Sequence, residues 1–213
     1  MKRIETQGIY YIEPLDGSRE WYWGMDYTHG DLYEAEELFK QGNSVSQSRL
    51  LFIHYPDGKI IQPIIAEKGQ YFGCPICYDN QIILLKVDFP AEKIEIIQFD
   101  NTLEHMAVLA VLDLSDIEDC YNLMLKGSPL MLTRQGQDNK FQILWPKNTE
   151  FYMEDRETFL FGRGEELYFF EWYDEFPEYR EEVIVRNKST GEIIQRIPGS
   201  MMLMPDGQMW ILT

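Results

Sequence analysis

Cysteine is scarce in this chain: Cys74, Cys77 and Cys120 are the only three in 213 residues. An odd, sparse set excludes a disulfide framework and suits a reducing compartment. No apolar run approaches the roughly 18 residues a membrane-spanning helix needs. Met1-Lys2-Arg3 passes straight into Ile4-Glu5-Thr6-Gln7, with no apolar stretch of signal-peptide length. The expectation is a cytoplasmic protein with no membrane partner. Positive charge is scarce too: 19 basic against 36 acidic residues leave a net charge of −17. Such a surface repels phosphate backbones, which argues against nucleic acid as a partner. G-x-S-x-G, P-loop, dinucleotide and H-E-x-x-H signatures are all missing, which removes the short-motif arguments for an enzyme.

What the chain does have is apolar and aromatic residues, 45% and 14% of the total, ample for a packed core. They come in short runs separated by turn residues. In residues 49–64 an apolar run meets Pro56-Asp57-Gly58 and reverses into a β-branched run, which predicts a hairpin. Residues 201–212 repeat the device around Pro205-Asp206-Gly207, and Gly58 and Gly207 are expected to take positive φ. Residues 8–13 read as a strand. Asp79-Asn80 divides two further runs, the second with Ile83, Leu85, Val87 and Phe89 in the alternation of a half-buried strand. The change of phase between Ile96 and Ile97 predicts a bulge. Turns near 137–139, 162–164 and 188–191 separate the later runs.

Two stretches read differently. Residues 31–42 carry helix signals: Asp31 as cap, Glu34 in the first turn, and Leu32, Ala35, Leu38 and Phe39 on one face before Gly42. Residues 103–127 fit either a capped helix over 115–126 or a strand through Tyr121, Leu123 and Leu125. The turn signals fall on two interleaved ladders, each with a spacing of about 44 residues. Four short strands per 44 residues make one blade of a β-propeller. The expected fold is therefore all-β, a single domain over 1–213: a small five-bladed propeller closed by pairing of its N- and C-terminal strands. The alternative is an irregular α+β domain with helices at 31–41 and 115–126.

Residues 203–213, L-M-P-D-G-Q-M-W-I-L-T, resemble the D-G-x-x-W-x-x-T end of the propeller repeats of two-component-regulator sensors, with Leu212 where those repeats carry a small glycine. The resemblance covers about eleven residues and implies a propeller-type hairpin, with no activity attached.

Four constellations carry possible chemistry. Trp21, Trp23, Asp26, Tyr27 and His29 cluster in sequence, with Asp31 close by. Aromatic platforms beside carboxylate and imidazole are suited to a small polar ligand or to acid–base work on a sugar; core packing is the competing use. Cys74-Pro75-Ile76-Cys77 has redox or zinc spacing, but a turn and strand follow it and no second ligand pair exists, so buried thiols are expected. Asp113, Asp116, Glu118 and Asp119 lack the spacing of a calcium loop, and the expectation is no metal and no cofactor. Residues 165–182 interleave eight carboxylates with aromatics against Arg180, a candidate docking surface for a basic protein. These readings favour a non-catalytic binding or protein-interaction module. The alternative is a carbohydrate-active enzyme using paired carboxylates near the aromatic patch.

Overall fold

Short apolar runs that each bury one face have a ready solution in antiparallel sheets. In the computed structural model, which describes residues 1–175, 178–204 and 208–213, they form twenty strands with one α-helix. The chain is all-β, and it divides into two compact units, Met1–Leu130 and Met131–Thr213.

In the first unit, β1 (Glu13–Pro14), β2 (Trp21–Met25), β3 (Gln47–His54) and β4 (Ile60–Ile61) pair in that order, and β5 (Ile65–Glu67) also pairs with β3. The helix α1 (Leu32–Lys40) is inserted between β2 and β3. A second sheet runs β10-β9-β8-β6, built from β6 (Gln70–Phe72), β8 (Gln81–Asp88), β9 (Lys93–Phe99) and β10 (Met106–Asp113), with β7 (Ile76–Tyr78) also on β8. The strand β11 (Met124–Lys126) ends the unit. Both sheets contribute to one core, in which Trp21, Trp23, Leu50 and Phe52 meet Phe72, Ile82, Leu84, Ile97 and Phe99.

Local turn chemistry explains most of this. The predicted hairpin forms between β3 and β4, with Gly58 at φ +70°. Asp57 braces it, accepting from the backbone N–H of Lys59 at 3.0 Å and pairing with His54 Nδ1 at 2.9 Å. Asp79 and Asn80 both take positive φ, the geometry of a two-residue turn that matches strand twist. The expected bulge is present, with the extra residue on the partner strand: the β9–β10 register shifts between Val108 and Ala110, opposite Ile97 and Ile96.

In the second unit, β12 (Met131–Gln135), β13 (Lys140–Trp145) and β14 (Thr149–Tyr152) pair in sequence. Then β15 (Glu157–Arg163), β16 (Glu166–Glu175), β17 (Glu178–Asn187) and β18 (Ile193–Pro198) make a four-stranded meander. A hairpin of β19 (Ser200–Leu203) and β20 (Met209–Leu212) follows. Phe141, Phe159 and Phe169 nest in the core with ring centroids 4.8 to 5.3 Å apart, tilted as aromatic pairs prefer.

Several expectations are corrected. Of residues 8–13 only Glu13 joins a strand; Ile9 and Ile12 instead fold over Gly24 of β2, where a missing Cβ leaves them room. The chain ends enter separate sheets, β1 on β2 and β19 on β20, so no sheet is closed between them among the described residues. A helix over 115–126 does not form. A single 3₁₀ turn, Leu114–Asp116, leads through loop to β11, and the strand-like alternation that buries Leu123 and Leu125 prevails. The α1 expectation holds: Asp31 caps it, accepting at Oδ1 from the N–H groups of Tyr33 and Glu34 at 2.9 and 3.0 Å. The Pro205-Asp206-Gly207 turn lies outside the described residues.

Candidate functional site

One cleft of about 500 Å³ in the first unit gathers chemistry from four separate segments. Glu13, Pro14 and Asp16 come from β1 and the turn after it; Trp23 comes from β2. His29, Gly30 and Asp31 form the turn into α1, and Leu32 and Tyr33 open the helix. Cys74 to Ile76 lead into β7, and residues 120–126 close the wall.

The segments are held by specific bonds. The N–H of Cys77 donates to Asp16 O at 2.7 Å, and Asp16 bridges to Ile76. Glu36, buried on α1, accepts from the N–H of Cys120 at 2.7 Å and pairs with Lys40 at 2.9 Å. Tyr33 and Tyr121 meet edge to face at 5.3 Å. Gly30 lies so close to Cys74 that a side chain there would meet its sulfur. At the rim Tyr11 packs edge-on against His29 with centroids 4.8 Å apart, and the Glu13 carboxylate raises its hydroxyl.

The cleft carries three carboxylates, Glu13, Asp16 and Asp31, against Lys126 and His29. Its field is legible in the titrating groups. Burial raises the Cys74 thiol first, and the Glu13 and Asp31 carboxylates raise it further. Cys74 is exposed as a residue, yet its sulfur is enclosed by Gly30 and the carbonyl of His29. Burial lowers the Lys126 ammonium against the pull of Asp16. The cleft thus penalises charge by burial while presenting three carboxylates.

The five residues singled out from the sequence separate here. Trp23 and His29 line the cleft. Trp21 is core, packed edge-on to Phe52, with its indole N–H donating to Asn101. Asp26 is committed to Arg49, 2.7 Å away. Tyr27 is exposed at positive φ. The thiols are free, and only Cys120 is buried; Cys74 opens on the cleft, which corrects the expectation of buried small side chains. Asp113 pairs with Lys93, and Asp119 accepts from the N–H of Tyr121 at 3.0 Å, so both belong to local structure.

Sequence reasoning missed Glu13, Asp16, Tyr33, Tyr121 and Lys126 as members of one site. They are up to about a hundred residues apart, and no spacing rule links them. The one local signal was Cys74-Pro75, a thiol directly before a chain-directing proline.

In the second unit Glu154, Glu157 and Glu171 offer oxygens within 4.8 Å of one another. Their charge is already met. Arg186 holds Glu157 through two bonds of 2.6 and 2.9 Å, and Arg196 reaches Glu154 at 2.7 Å and Glu171 at 2.9 Å. That arrangement ties β15, β16, β17 and β18 together. No protein-family model matches the sequence, and a comparison with curated proteins finds no match.

Proposed function

We propose that the protein is a non-catalytic binding module whose cleft takes a cationic group carried on an apolar or aromatic body. The supporting observation is the convergence of Glu13, Asp16 and Asp31 on a cavity walled by Trp23, Leu32, Ile76 and Leu125. Carboxylates orient an amine or guanidinium, and aromatic faces add a cation–π attraction of about 0.5–2 kcal/mol. A small polar amine and the basic side chain of a protein partner satisfy the same chemistry. The proposed setting is the cytoplasm, where the three thiols stay reduced; no helix among the described residues is long and apolar enough to cross a membrane. Antiparallel sheets succeeding one another along the chain support a propeller-type architecture as the finer reading, without the shared terminal blade.

The test is a titration with arginine amide followed by two-dimensional NMR. The signals of Gly30 and the Trp23 indole should shift saturably, and Glu13→Gln should weaken the binding several-fold. Glutarate, of similar size and opposite charge, should not bind. Equal binding of the two probes would remove the reading.

A second reading, a carbohydrate-active enzyme, draws on the same carboxylates beside Trp23. It requires turnover of chromogenic glycosides that Glu13→Gln and Asp16→Asn abolish. Absence of turnover across α- and β-linked hexosides leaves the binding module.

A further inference from the structure

The long hairpin β16–β17 has one face in two conditions along its length. Tyr168, Phe170, Trp172 and Asp174 point to one side, with Val185, Val183, Glu181 and Tyr179 as their cross-strand partners. The proximal half is covered: Tyr168, Val183 and Val185 pack with Phe161, Ile197, Met201 and Met209, the last two from the β19–β20 hairpin. That cover stops short of the distal half. Trp172 is 43% exposed and Tyr179 62% exposed, diagonal neighbours on a bare surface.

On β16 and β17 the distal half of this face carries charge of one sign, and the neighbouring Arg156 lies over Tyr173 of the other face, 5.8 Å from its ring centroid. Asp174 and Glu181 lie there, and the Tyr179 hydroxyl donates to Glu181 at 2.6 Å, fixing ring and carboxylate together. The cations of this hairpin are on the opposite face. Arg180 sits 4.1 Å from the Tyr173 ring centroid, and Arg186 is spent on Glu157. Arg196 of β18 likewise neutralises Glu171 and Glu182 on that other face. Among the described residues of β16 and β17, no Lys or Arg shares the face of Trp172. A tryptophan and a tyrosine at the centre with carboxylates beside them have the composition of an interface hot spot.

We propose that this distal face docks an extended, arginine- or lysine-bearing segment of a basic protein, which lays its side-chain stems on Trp172 and Tyr179 and its cations against Asp174 and Glu181. Charge complementarity selects this occupant. A second copy of this chain, at −17, would bring like charge to like, and an acidic segment would meet two carboxylates with no cation to pair. The surface shares no residue with the cleft of the first unit.

The test uses the intact protein and a fluorescent peptide of alternating arginine and serine, read by anisotropy. Binding should weaken about tenfold or more in Trp172→Ala, the loss typical of an aromatic anchor. It should weaken several-fold when salt rises from about 50 to about 300 mM, because rim charges are screened over about a Debye length. The double variant Asp174→Asn/Glu181→Gln should lower affinity and flatten the salt dependence; being isosteric and exposed, it decides the matter if Trp172→Ala does not fold. Asp31→Asn, which weakens only the cleft's own hold on a cation, should leave the Trp172-dependent part of this affinity in place. The proposal is overturned if native protein does not bind the peptide, if a glutamate–serine peptide binds as well, if folded Trp172→Ala binds like native, or if Asp31→Asn alone abolishes the binding.

Discussion

Asp31 holds two roles that substitution can separate. Both of its helix-capping bonds, from Tyr33 and Glu34, end on Oδ1, and its carboxylate also lines the cleft. Asp31→Ala removes an N-cap from the nine-residue α1 and should cost about 1 kcal/mol, within a range of roughly 0.5–2. For a unit of this size that corresponds to about 3–6 °C in Tm. Asparagine caps about as well as aspartate, so in moderate salt, where the favourable charge at the helix N-terminus is screened to the low end of its range, about 0.3 kcal/mol, Asp31→Asn should keep most of that stability. In the cleft the two variants are equivalent, since each removes one of three carboxylates. Affinity for arginine amide should therefore fall several-fold in both, whereas the melting temperature falls fully only in Asp31→Ala. Thermal unfolding by circular dichroism and NMR titration of the same samples provide both readouts. If Asn melts as low as Ala, capping is not what Asp31 contributes. If Asn binds arginine amide like the native protein, its charge does not reach the ligand and the account of the cleft fails.

Gly191→Ala should destabilise the second unit by about 2 kcal/mol or more, since a non-glycine residue is strained at its φ of +72° and its Cβ would enter the Phe151 ring; urea denaturation measures it, and a loss under about 0.5 kcal/mol would refute the packing described. The exposed pair Asp100–His105, 2.7 Å apart, should depend on pH in two directions. His105 is raised above 6.5 by its bond to Asp100, so its contribution is full below that value and fades as pH rises through the higher folded value. Asp100 is held below 3.8, chiefly by the same bond, so its contribution is present above that value and fades as acid takes pH through the lower folded value. A histidine NMR titration showing His105 at or below 6.5 would contradict the pairing. Among the thiols, an aromatic disulfide reagent should modify Cys74 and half-buried Cys77 in the folded protein, at rates that climb in alkali because burial raises both, while Cys120 reacts only on unfolding because burial and Glu36 raise it. Equal rates at neutral pH would mean that Cys120 is not enclosed.

The amino-acid sequence by itself determined the local elements, because their causes are local. Pro56-Asp57-Gly58 and Asp79-Asn80 supply positive φ where a hairpin reverses, and the chain obeys at both places. Asp31 with the apolar spacing after it specified α1 to within a residue or two of its ends. Where two local patterns competed, at 115–126, only packing chose: the buried carboxylate of Glu36 claims the N–H of Cys120, and Leu123 and Leu125 turn inward on strand spacing. The aromatic cluster at 21–29 shows the limit most plainly. Sequence placed Trp21 and Trp23 side by side with Asp26 and His29, but strand alternation and the β2–β3 pairing sank both indoles into the core and gave Asp26 to Arg49. The cleft that resulted joins Glu13, Asp31, Cys74 and Tyr121, residues whose proximity depends on how two sheets and a helix close over one another. No spacing in the chain records that closure, since burial is a property of the whole assembly and charge acquires its meaning only from what surrounds it.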